Sequence, residues 1–304
     1  MKFRERYLVL AVGVVSLLVL AAGCGGQNAL EEGGGGGGFV VGSANFPEQL
    51  ILGNMYADVI EDQGIEVERR LNLGTRDVLF PSLESGEITL VPEYNGALLS
   101  YLSKGESDVT SPEETTKLLK KELPEGLISL EASEAQDKDA LVVTPETAEK
   151  YDLENTSDLA PVADELIVGG PPEMSERPDG LPGLKRVYGI EFEEFKALDA
   201  GGPLTTEALG NGDVDVGRFF SSQGLIDARG WIVLEDNKEL SPAQNIIPII
   251  RKQDSTGKIV DALNELSATL TTEDLKKLNR RVEVDKEDPE DVAKDYLKQK
   301  GLLG

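Results

Sequence analysis

The side chains that most often perform chemistry are scarce in this sequence. Histidine is absent, and Cys24 is the only cysteine. Histidine is a common general base and metal ligand, and cysteine provides thiol nucleophiles and zinc ligands. Cys24 directly follows an export signal, so neither residue type can serve a catalytic site in the folded region. We therefore expect no metal or other cofactor, and only carboxylate chemistry remains open.

Two carboxylates stand beside the motifs described below. Glu48 and Glu93 could in principle act as the acid pair of a glycosidase, which needs two carboxyl groups about 5 to 9.5 Å apart. The simpler interpretation places both acids near helix starts on a solvated face. We favour that interpretation and do not expect an enzyme.

The overall charge restricts the possible partners. The chain carries 56 acidic and 30 basic residues, for a formal net charge of −26. Nucleic acids and anionic membrane surfaces attract basic proteins, so this balance argues against both as partners. We expect a well-solvated monomer that binds no nucleic acid.

The N-terminus predicts export. Lys2, Arg4 and Arg6 precede an apolar run from Tyr7 to Ala22. A basic start, a short apolar run and small residues at its end are typical of a secretory signal peptide. The run is shorter than the ~20 residues that a membrane-spanning helix needs. We assign residues 1–23 to a signal peptide.

The cysteine at its end suggests a lipid anchor. The string LAAGC, from Leu20 to Cys24, resembles the bacterial lipobox, in which the cysteine is lipidated. The alternatives are a buried free thiol or an uncleaved anchor helix. Six consecutive glycines, Gly33 to Gly38, then form a segment too flexible to fold. Residues 24–38 are thus predicted to be a lipidated cysteine and its tether, which places the protein outside the cytoplasm on the cell membrane.

The region from Phe39 onward reads as alternating strands and helices. Val40–Ser43 and Ile88–Val91 are short apolar runs, and Ile65–Leu73 alternates apolar with polar residues except at Arg69. Between these strand patterns, Pro47–Gln63 and Arg76–Glu84 are predicted helices. Strands that alternate with helices favour an α/β fold with a parallel sheet and right-handed crossovers.

The second half repeats this alternation after the strand Ala140–Val143. The run Ile246–Ile250 contains Pro248, which confines it to a sheet edge or a crossing segment. Thr271 and Asp274 have the spacing of a capping box at the start of a helix.

Six short motifs carry a resemblance to a known family. They are GSANFPEQ (42–49), GEITLVPEYNGAL (86–98), TSDL (156–159), RPDGLPGLKRVYG (177–189), GDVDV (212–216) and FSSQGLI (220–226). In order and spacing they resemble the solute-binding lipoproteins of ABC importers for glycine betaine, carnitine and choline. No one motif is diagnostic, but six in order cover the folded chain.

The resemblance implies a two-lobed fold of the periplasmic-binding-protein type (type II), in which each lobe is a mostly parallel sheet flanked by helices. Residues 39–139 and 246–304 would form lobe 1, and residues 140–245 would form lobe 2. Ala140–Val143 and Ile246–Ile250 would be the crossing strands. Ligand would close the lobes, and the closed form would dock on the permease and its ATPase.

The resemblance also implies a cage of aromatic faces around a quaternary ammonium group. Tyr94 matches a cage tyrosine, although it could instead be a packing residue. Asp139 and Thr206 stand where the family has further tyrosines, and Gln223 stands where it has an aspartate. Ala44 and Ala97 occupy two more positions at which the family has polar residues.

These departures leave the ligand open. A carboxylate at Asp139 would suit an amine or guanidinium that donates hydrogen bonds. Phe46, Phe219 or Phe220 are alternative sources of aromatic faces, although each could equally be a core residue. Arg218 could bind an anionic group bidentately or form a surface ion pair.

The expected function is that of an extracytoplasmic solute-binding component of an ABC importer. Its ligand would be an osmoprotectant such as glycine betaine, or a related amine. The alternatives are a lipid-anchored, carboxylate-dependent cell-wall hydrolase and a ligand-sensing lipoprotein without transport. The candidate ligand-binding residues are Tyr94, Asn45, Asn95, Asp139, Thr206, Arg218 and Gln223.

Overall fold

The computed structural model describes residues 38–304, except 106 and 108. The predicted signal peptide, Cys24 and all of the tether before residue 38 lie outside the described residues. The strands are β1 Phe39–Gly42, β2 Val67–Arg70, β3 Leu90–Tyr94, β4 Leu127–Ser129, β5 Asp139–Val143, β6 Ile167–Gly170, β7 Glu194–Ala197, β8 Val216–Phe220, β9 Ile232–Val233 and β10 Ile246–Arg251. The helices are α1 Pro47–Asp62, α2 Arg76–Ser85, α3 Asn95–Leu102, α4 Pro112–Glu122, α5 Pro145–Tyr151, α6 Leu181–Gly183, α7 Pro203–Asn211, α8 Gly224–Arg229, α9 Gly257–Thr269, α10 Thr272–Glu283 and α11 Pro289–Lys300.

The strands form two five-stranded sheets with the same topology. The first has the order β2-β1-β3-β10-β4, and the second has the order β7-β6-β8-β5-β9. In each sheet, the three strands at one side are parallel, and the fourth strand runs antiparallel to them. That fourth strand, β10 or β5, is the one that enters from the other sheet. The fold is therefore the predicted α/β class, with mixed sheets.

The chain passes between the sheets twice, through residues 130–138 and 234–245. The two crossing segments run side by side, because Gln136 and Asn245 form an antiparallel bridge. The runs expected to cross, Ala140–Val143 and Ile246–Ile250, instead lie inside one sheet each. We call the first sheet with α1–α4 and α9–α11 lobe 1, and the second sheet with α5–α8 lobe 2. Both belong to one compact unit.

Pro248 was expected at a sheet edge or in a crossing segment, and this was wrong. It lies in β10, between β3 and β4, with Pro92 opposite it. The N–H of Leu130, just past β4, donates to the carbonyl of Pro248 at 3.0 Å. The N–H and C=O of a strand residue point to the same side, so the N–H that Pro248 lacks would also point toward β4. Strand β4 has only three residues and ends at this point. The missing donor therefore removes little of the hydrogen bonding between the strands.

Local sequence fixes the ends of the helices that later meet at the cleft. Helix α1 begins at Pro47, whose missing N–H is not needed in the first turn. The predicted capping box of α10 is confirmed, because Thr271 and Asp274 each accept from the other's backbone N–H. Among the described residues, no helix has the length and apolar character to cross a membrane.

Both faces of each sheet are covered by helices. In β1, Val40 packs on one face and Val41 on the other, as strand alternation requires. Strand β10 does the same with Ile246 and Ile247. A strand buried on both faces must be apolar throughout, which explains the near-continuous runs in the sequence.

The two lobes touch directly through α8 and α10. Gly224, the first residue of α8, lies against the backbone of Arg280 in α10 so closely that a Cβ added there would overlap it. Arg280 also forms a salt bridge of 2.8 Å with Asp227 of α8. Glycine is therefore required at this position by the close approach of two backbones.

Replacing Gly224 with alanine is expected to force α8 away from α10. We expect Gly224→Ala to lower the free energy of unfolding by about 1–3 kcal/mol, the usual cost of overpacking. Urea denaturation would measure the change. Gly257→Ala is the matched control, since nothing lies within 4 Å of the added Cβ. An unfolding midpoint of Gly224→Ala equal to that of the control would show that this contact is looser than described.

Candidate functional site

A cavity of about 530 Å³ lies between the lobes. Parallel strands direct their carboxyl ends to one edge of a sheet, and ligand sites of α/β proteins form outside that edge. Here Tyr94 ends β3 and Phe220 ends β8, and both line the cavity from opposite lobes. Its charged and aromatic lining residues are Phe46, Glu48, Arg76, Tyr94, Asp137, Asp139, Glu173, Arg177, Arg218, Phe220 and Glu283.

Aromatic faces open into this cavity. The rings of Phe46 and Tyr94 stack with centroids 6.3 Å apart and planes 19° from parallel. Phe46 is 39% exposed and Phe220 is 38% exposed, so neither ring is buried in the hydrophobic core. An aromatic face attracts a cation through its quadrupole. The cavity therefore offers aromatic faces from both lobes to a positively charged group.

Glu48 joins the two lobes at the cavity wall. Its carboxylate accepts hydrogen bonds of 2.6 Å from the Tyr94 hydroxyl, the Ser222 hydroxyl and the Asn279 amide. Tyr94 belongs to lobe 1 and Ser222 to lobe 2. Burial raises the pKa of Glu48, and the three hydrogen bonds lower it again in part. The bond to Ser222 fixes the distance between the lobes at this point.

Two further carboxyl groups share the cavity with Glu48. Asp137 accepts from the Ser222 N–H at 3.2 Å, and Glu283 accepts from the Gly224 N–H at 3.0 Å. Burial, followed by the charge of Glu48, raises the pKa of Asp137 well above its usual value. Burial raises the pKa of Glu283 to about 7, with a smaller contribution from Glu48. Each of these side chains accepts from a backbone N–H of lobe 2.

The arginines that line the cavity are already paired. Arg76 holds Glu93 through two bonds of 2.8 Å. Arg177 binds Asp179 bidentately, at 3.0 and 2.7 Å. Bidentate pairs of this kind are the strong form of the charge-assisted hydrogen bond. Their positive charges are therefore largely compensated within the protein.

Asp139 and the buried Arg218 form an ion pair with each other, and the Asp139 side chain is half-buried. Asp139 had been expected to offer its charge to a ligand, and Arg218 to bind an anion or to lie on the surface. Arg218 is only 4% exposed, and it lies opposite Leu141 on the neighbouring strand. The pair lines the cavity, but the carboxylate of Asp139 is neutralised by its partner.

The structure brings Tyr94, Asp139, Arg218 and Gln223 together at the cavity. Gln223 is held by the protein, since its side chain accepts from the Phe220 N–H and donates to the carbonyl of Gly201. It lies at the mouth as a support for the loop that carries Phe220.

Three other predicted residues do not line this cavity. Asn45 lies in a separate cavity of about 180 Å³ beside Phe46. Asn95 is fully buried, and its carbonyl oxygen accepts from the N–H groups of Gly96 and Asn245. It secures the start of α3 against a crossing segment. Thr206 is buried in α7.

Alternation along β8 separates its two phenylalanines. Phe219 packs edge-on against Trp231, with centroids 5.5 Å apart, in the core of lobe 2. Phe220 and Arg218 point to the other face, toward the cleft. The period of two in a strand could have identified this difference from the sequence.

Sequence reasoning missed the carboxyl cluster. Glu48 was assigned to a solvated face, but it is 3% exposed, as is Glu93. Glu283 and Asn279 lie four residues apart on one face of α10. Nothing in the sequence indicates that this face turns toward the cleft. Among the described residues, no group of three or more acidic, histidine or cysteine side chains is suitably placed to hold a metal ion.

Comparison with known proteins identifies a family for this chain. The family model for the substrate binding domain of the ABC-type glycine betaine transport system matches residues 39–299. The glycine betaine-binding protein YehZ of Escherichia coli K12 is 29% identical over 278 residues, which cover 86% of this chain and 90% of that protein. The ergothioneine transport permease/ergothioneine binding protein EgtU of Helicobacter pylori G27 is 28% identical over 303 residues, 98% of this chain and 53% of that protein. A solved structure described as a glycine betaine/carnitine/choline ABC transporter has a TM-score of 0.81 at 24% identity, and covers 88% of this chain and 100% of its own.

These matches define the role of the protein. Substrate-binding proteins of ABC importers work outside the cytoplasm, with a small-molecule ligand and a permease and ATPase as partners. The carboxylate-dependent hydrolase considered above has no support, because this family binds its substrate and does not transform it. Glu93, its second candidate acid, is held by Arg76. The chain belongs to the family of substrate-binding domains of ABC-type glycine betaine transport systems, as the six motifs predicted.

Proposed function

We propose that this chain captures a small solute with a quaternary ammonium head, or a related amine, in the cavity between its lobes. The observation that carries this proposal is the set of aromatic faces at Phe46, Tyr94 and Phe220, which share one cavity with the carboxylate of Glu48. Glycine betaine, carnitine, choline and ergothioneine, the compounds in the names of the similar proteins, all carry a trimethylammonium group.

The physical basis is attraction between the ligand's cation and the ring faces. Each such contact contributes about 0.5 to 2 kcal/mol, with the larger values in desolvated sites. A trimethylammonium group cannot donate an N–H bond, so ring faces and carboxylates suit it better than amide acceptors alone. Phe46 would supply an aromatic face in place of the family tyrosines that Asp139 and Thr206 replace.

Binding would stabilise the closed arrangement of the lobes. A ligand that contacts both Tyr94 in lobe 1 and Phe220 in lobe 2 makes its full set of contacts only when the lobes are close. It therefore shifts the population toward the closed form. The bond between Glu48 and Ser222 acts in the same direction. The closed form would then be the one that the permease recognises.

The N-terminal region would keep the protein at the membrane. We propose that residues 1–23 are removed on export and that Cys24 carries a lipid. Each buried methylene of an acyl chain adds about 0.8 kcal/mol, so two or more chains hold stably. The glycine-rich residues before Phe39 would then tether a monomeric binding unit close to its permease.

A ligand panel tests the proposed class. Isothermal titration with glycine betaine, carnitine, choline, ergothioneine, amino acids and polyamines should give saturable binding of at least one quaternary ammonium compound. At 100 times its dissociation constant, such a ligand should stabilise the fold by about 2.7 kcal/mol. If no quaternary ammonium compound produces heat or stabilisation, the ligand class is wrong.

Truncating the aromatic residues should weaken binding while leaving the fold intact. We expect Tyr94→Ala to lower affinity at least tenfold, about 1.4 kcal/mol, because it removes both a ring face and a partner of Glu48. Phe46→Ala, which removes an exposed face only, should have the smaller effect. Titration calorimetry would measure both.

Tyr101→Ala is the matched control for these two variants. Tyr101, on α3, is 37% exposed, close to the 39% of Phe46. It packs edge-on against Phe80 of α2 and is not part of the cavity lining. Its truncation should leave affinity unchanged. Equal affinities for all three variants and the parent would remove the aromatic pair from the binding site.

Replacing the single cysteine should release the protein from the membrane. In its own host, Cys24→Ser should move the protein from the membrane fraction to the soluble extracytoplasmic fraction, because the acyl chains are no longer attached. Fractionation and immunoblotting would measure this. Continued retention in the membrane fraction would indicate an uncleaved anchor helix in place of a lipid.

A further inference from the structure

Three buried or half-buried carboxyl groups of the cavity are not neutralised by the protein. Among the salt bridges of the described residues, none includes Glu48, Asp137 or Glu283. Their partners are neutral donors, namely hydroxyl groups, one amide and backbone N–H groups. Neutral donors orient a carboxylate but do not cancel its charge.

The cavity's cations do not compensate this cluster either. Arg76 is held by Glu93, Arg177 by Asp179, and Arg218 by Asp139. Each guanidinium is therefore matched by a carboxylate other than the three in the cluster. Several like charges in a partly buried site are costly, so the ligand-free protein favours protonation of some of these carboxyl groups.

A separate observation points to a ligand at the same place. Asn279 is 1% exposed and lines the cavity, and its amide nitrogen binds Glu48 and Ser222. Its Oδ1 atom has no hydrogen-bond partner among the described residues. A buried amide oxygen without a partner is costly. The partial negative charge of this oxygen would be stabilised by a positive group in the cavity.

We propose that the cluster of Glu48, Asp137 and Glu283 exchanges protons for the ligand's cationic head, so that binding releases protons to solvent. This inference rests on the proposed function, because it takes the ligand to be a cation held in the same cavity. The ligand's positive charge replaces the protons that the empty cluster retains. No covalent bond forms or breaks except the O–H bonds of the carboxyl groups that ionise.

The charges around Glu283 and Asp137 decide whether ligand affinity rises or falls with pH, and over which pH range. Glu283 is influenced by Glu48 from α1, which raises its pKa, and by Lys286 after α10, which lowers it. The backbone N–H groups of α8 also act on it, and the nearby charged pair of Arg280 and Asp227 is self-compensated. Asp137 is influenced by Glu48 and Asp139, which both raise its pKa. For Glu283, whose pKa is raised to about 7, the net effect is partial protonation near neutral pH.

The sign of the pH dependence follows from this. A group that is protonated without ligand and ionised with ligand makes affinity rise with pH until its ligand-free pKa is passed. Because the pKa of Glu283 lies at about 7, affinity for choline should rise about 20-fold between pH 5.5 and 7.5 and then level off. Choline's trimethylammonium group does not titrate, so any such change belongs to the protein.

The experiment measures choline binding by titration calorimetry across this pH range. A second series at pH 6.5, in two buffers of different ionisation enthalpy, counts the protons released. We expect about 0.8 proton per choline at pH 6.5, and an affinity that rises with pH. The same series with glycine betaine tests whether a ligand carboxylate alters the exchange.

Glu283→Gln isolates the titrating group, because the glutamine oxygen can still accept from the Gly224 N–H. It should flatten the pH profile between 6 and 8 and hold affinity at pH 7.5 near the low-pH value of the parent. Glu265→Gln, at an exposed acid on α9, is the matched control and should keep the parent's profile. If Glu283→Gln fails to fold, the proton count on the parent protein still decides the matter.

The outcomes are distinguishable. Binding of choline or betaine with a flat or falling pH profile and no proton release would overturn the exchange and leave the proposed function standing. Failure of every quaternary ammonium compound to bind at any pH would overturn both.

Discussion

The carboxyl group of Glu48 is the interaction on which this structure depends most. It lies at the start of α1 and accepts hydrogen bonds from three separate parts of the molecule, through Tyr94, Ser222 and Asn279. Each donor would cost about 1–3 kcal/mol if it were left buried without a partner. The distance between the lobes, the tilt of the Tyr94 ring and the position of α10 are therefore all set by one side chain.

The fold supplies the frame for that arrangement. The two sheets have the same topology, and in each the fourth strand follows a segment that crosses from the other lobe. The two crossing segments lie side by side and are bridged at Gln136 and Asn245. Parallel strands then present their carboxyl ends to the same gap. The last residues of β3 and β8 are Tyr94 and Phe220, and loops at the same edge carry Phe46 and Ser222. The strands and helices behind them limit how far these groups can move. Helix α10, the last helix but one, joins the cleft by packing against both α1 and α8.

Much of the fold could be predicted from the sequence, because it depends on local signals. The proline at the start of α1, the capping box of α10 and the apolar strand runs all act over a few residues. Pro248 was misplaced because its effect depends on the length of the neighbouring strand β4, which local sequence does not specify. At the site, Tyr94 was identified through its motif, and strand alternation separates Phe219 from Phe220. The contact between Glu48 and Asn279 joins residues 231 positions apart, and only the assembled lobes bring them together. Asp139 was read as a free charge because the pairing of neighbouring strands, which places Arg218 beside it, is not visible in a single sequence.

The central claim is that the ligand lies between the lobes, against the ring faces and beside Glu48. A crystal structure of the protein soaked with choline tests this most directly. The account predicts density for the trimethylammonium group in the cavity of about 530 Å³, in contact with the rings of Phe46 and Tyr94. Density in the neighbouring cavity of about 390 Å³, beside Tyr188 and Asp236, with none against Phe46 and Tyr94, would contradict it.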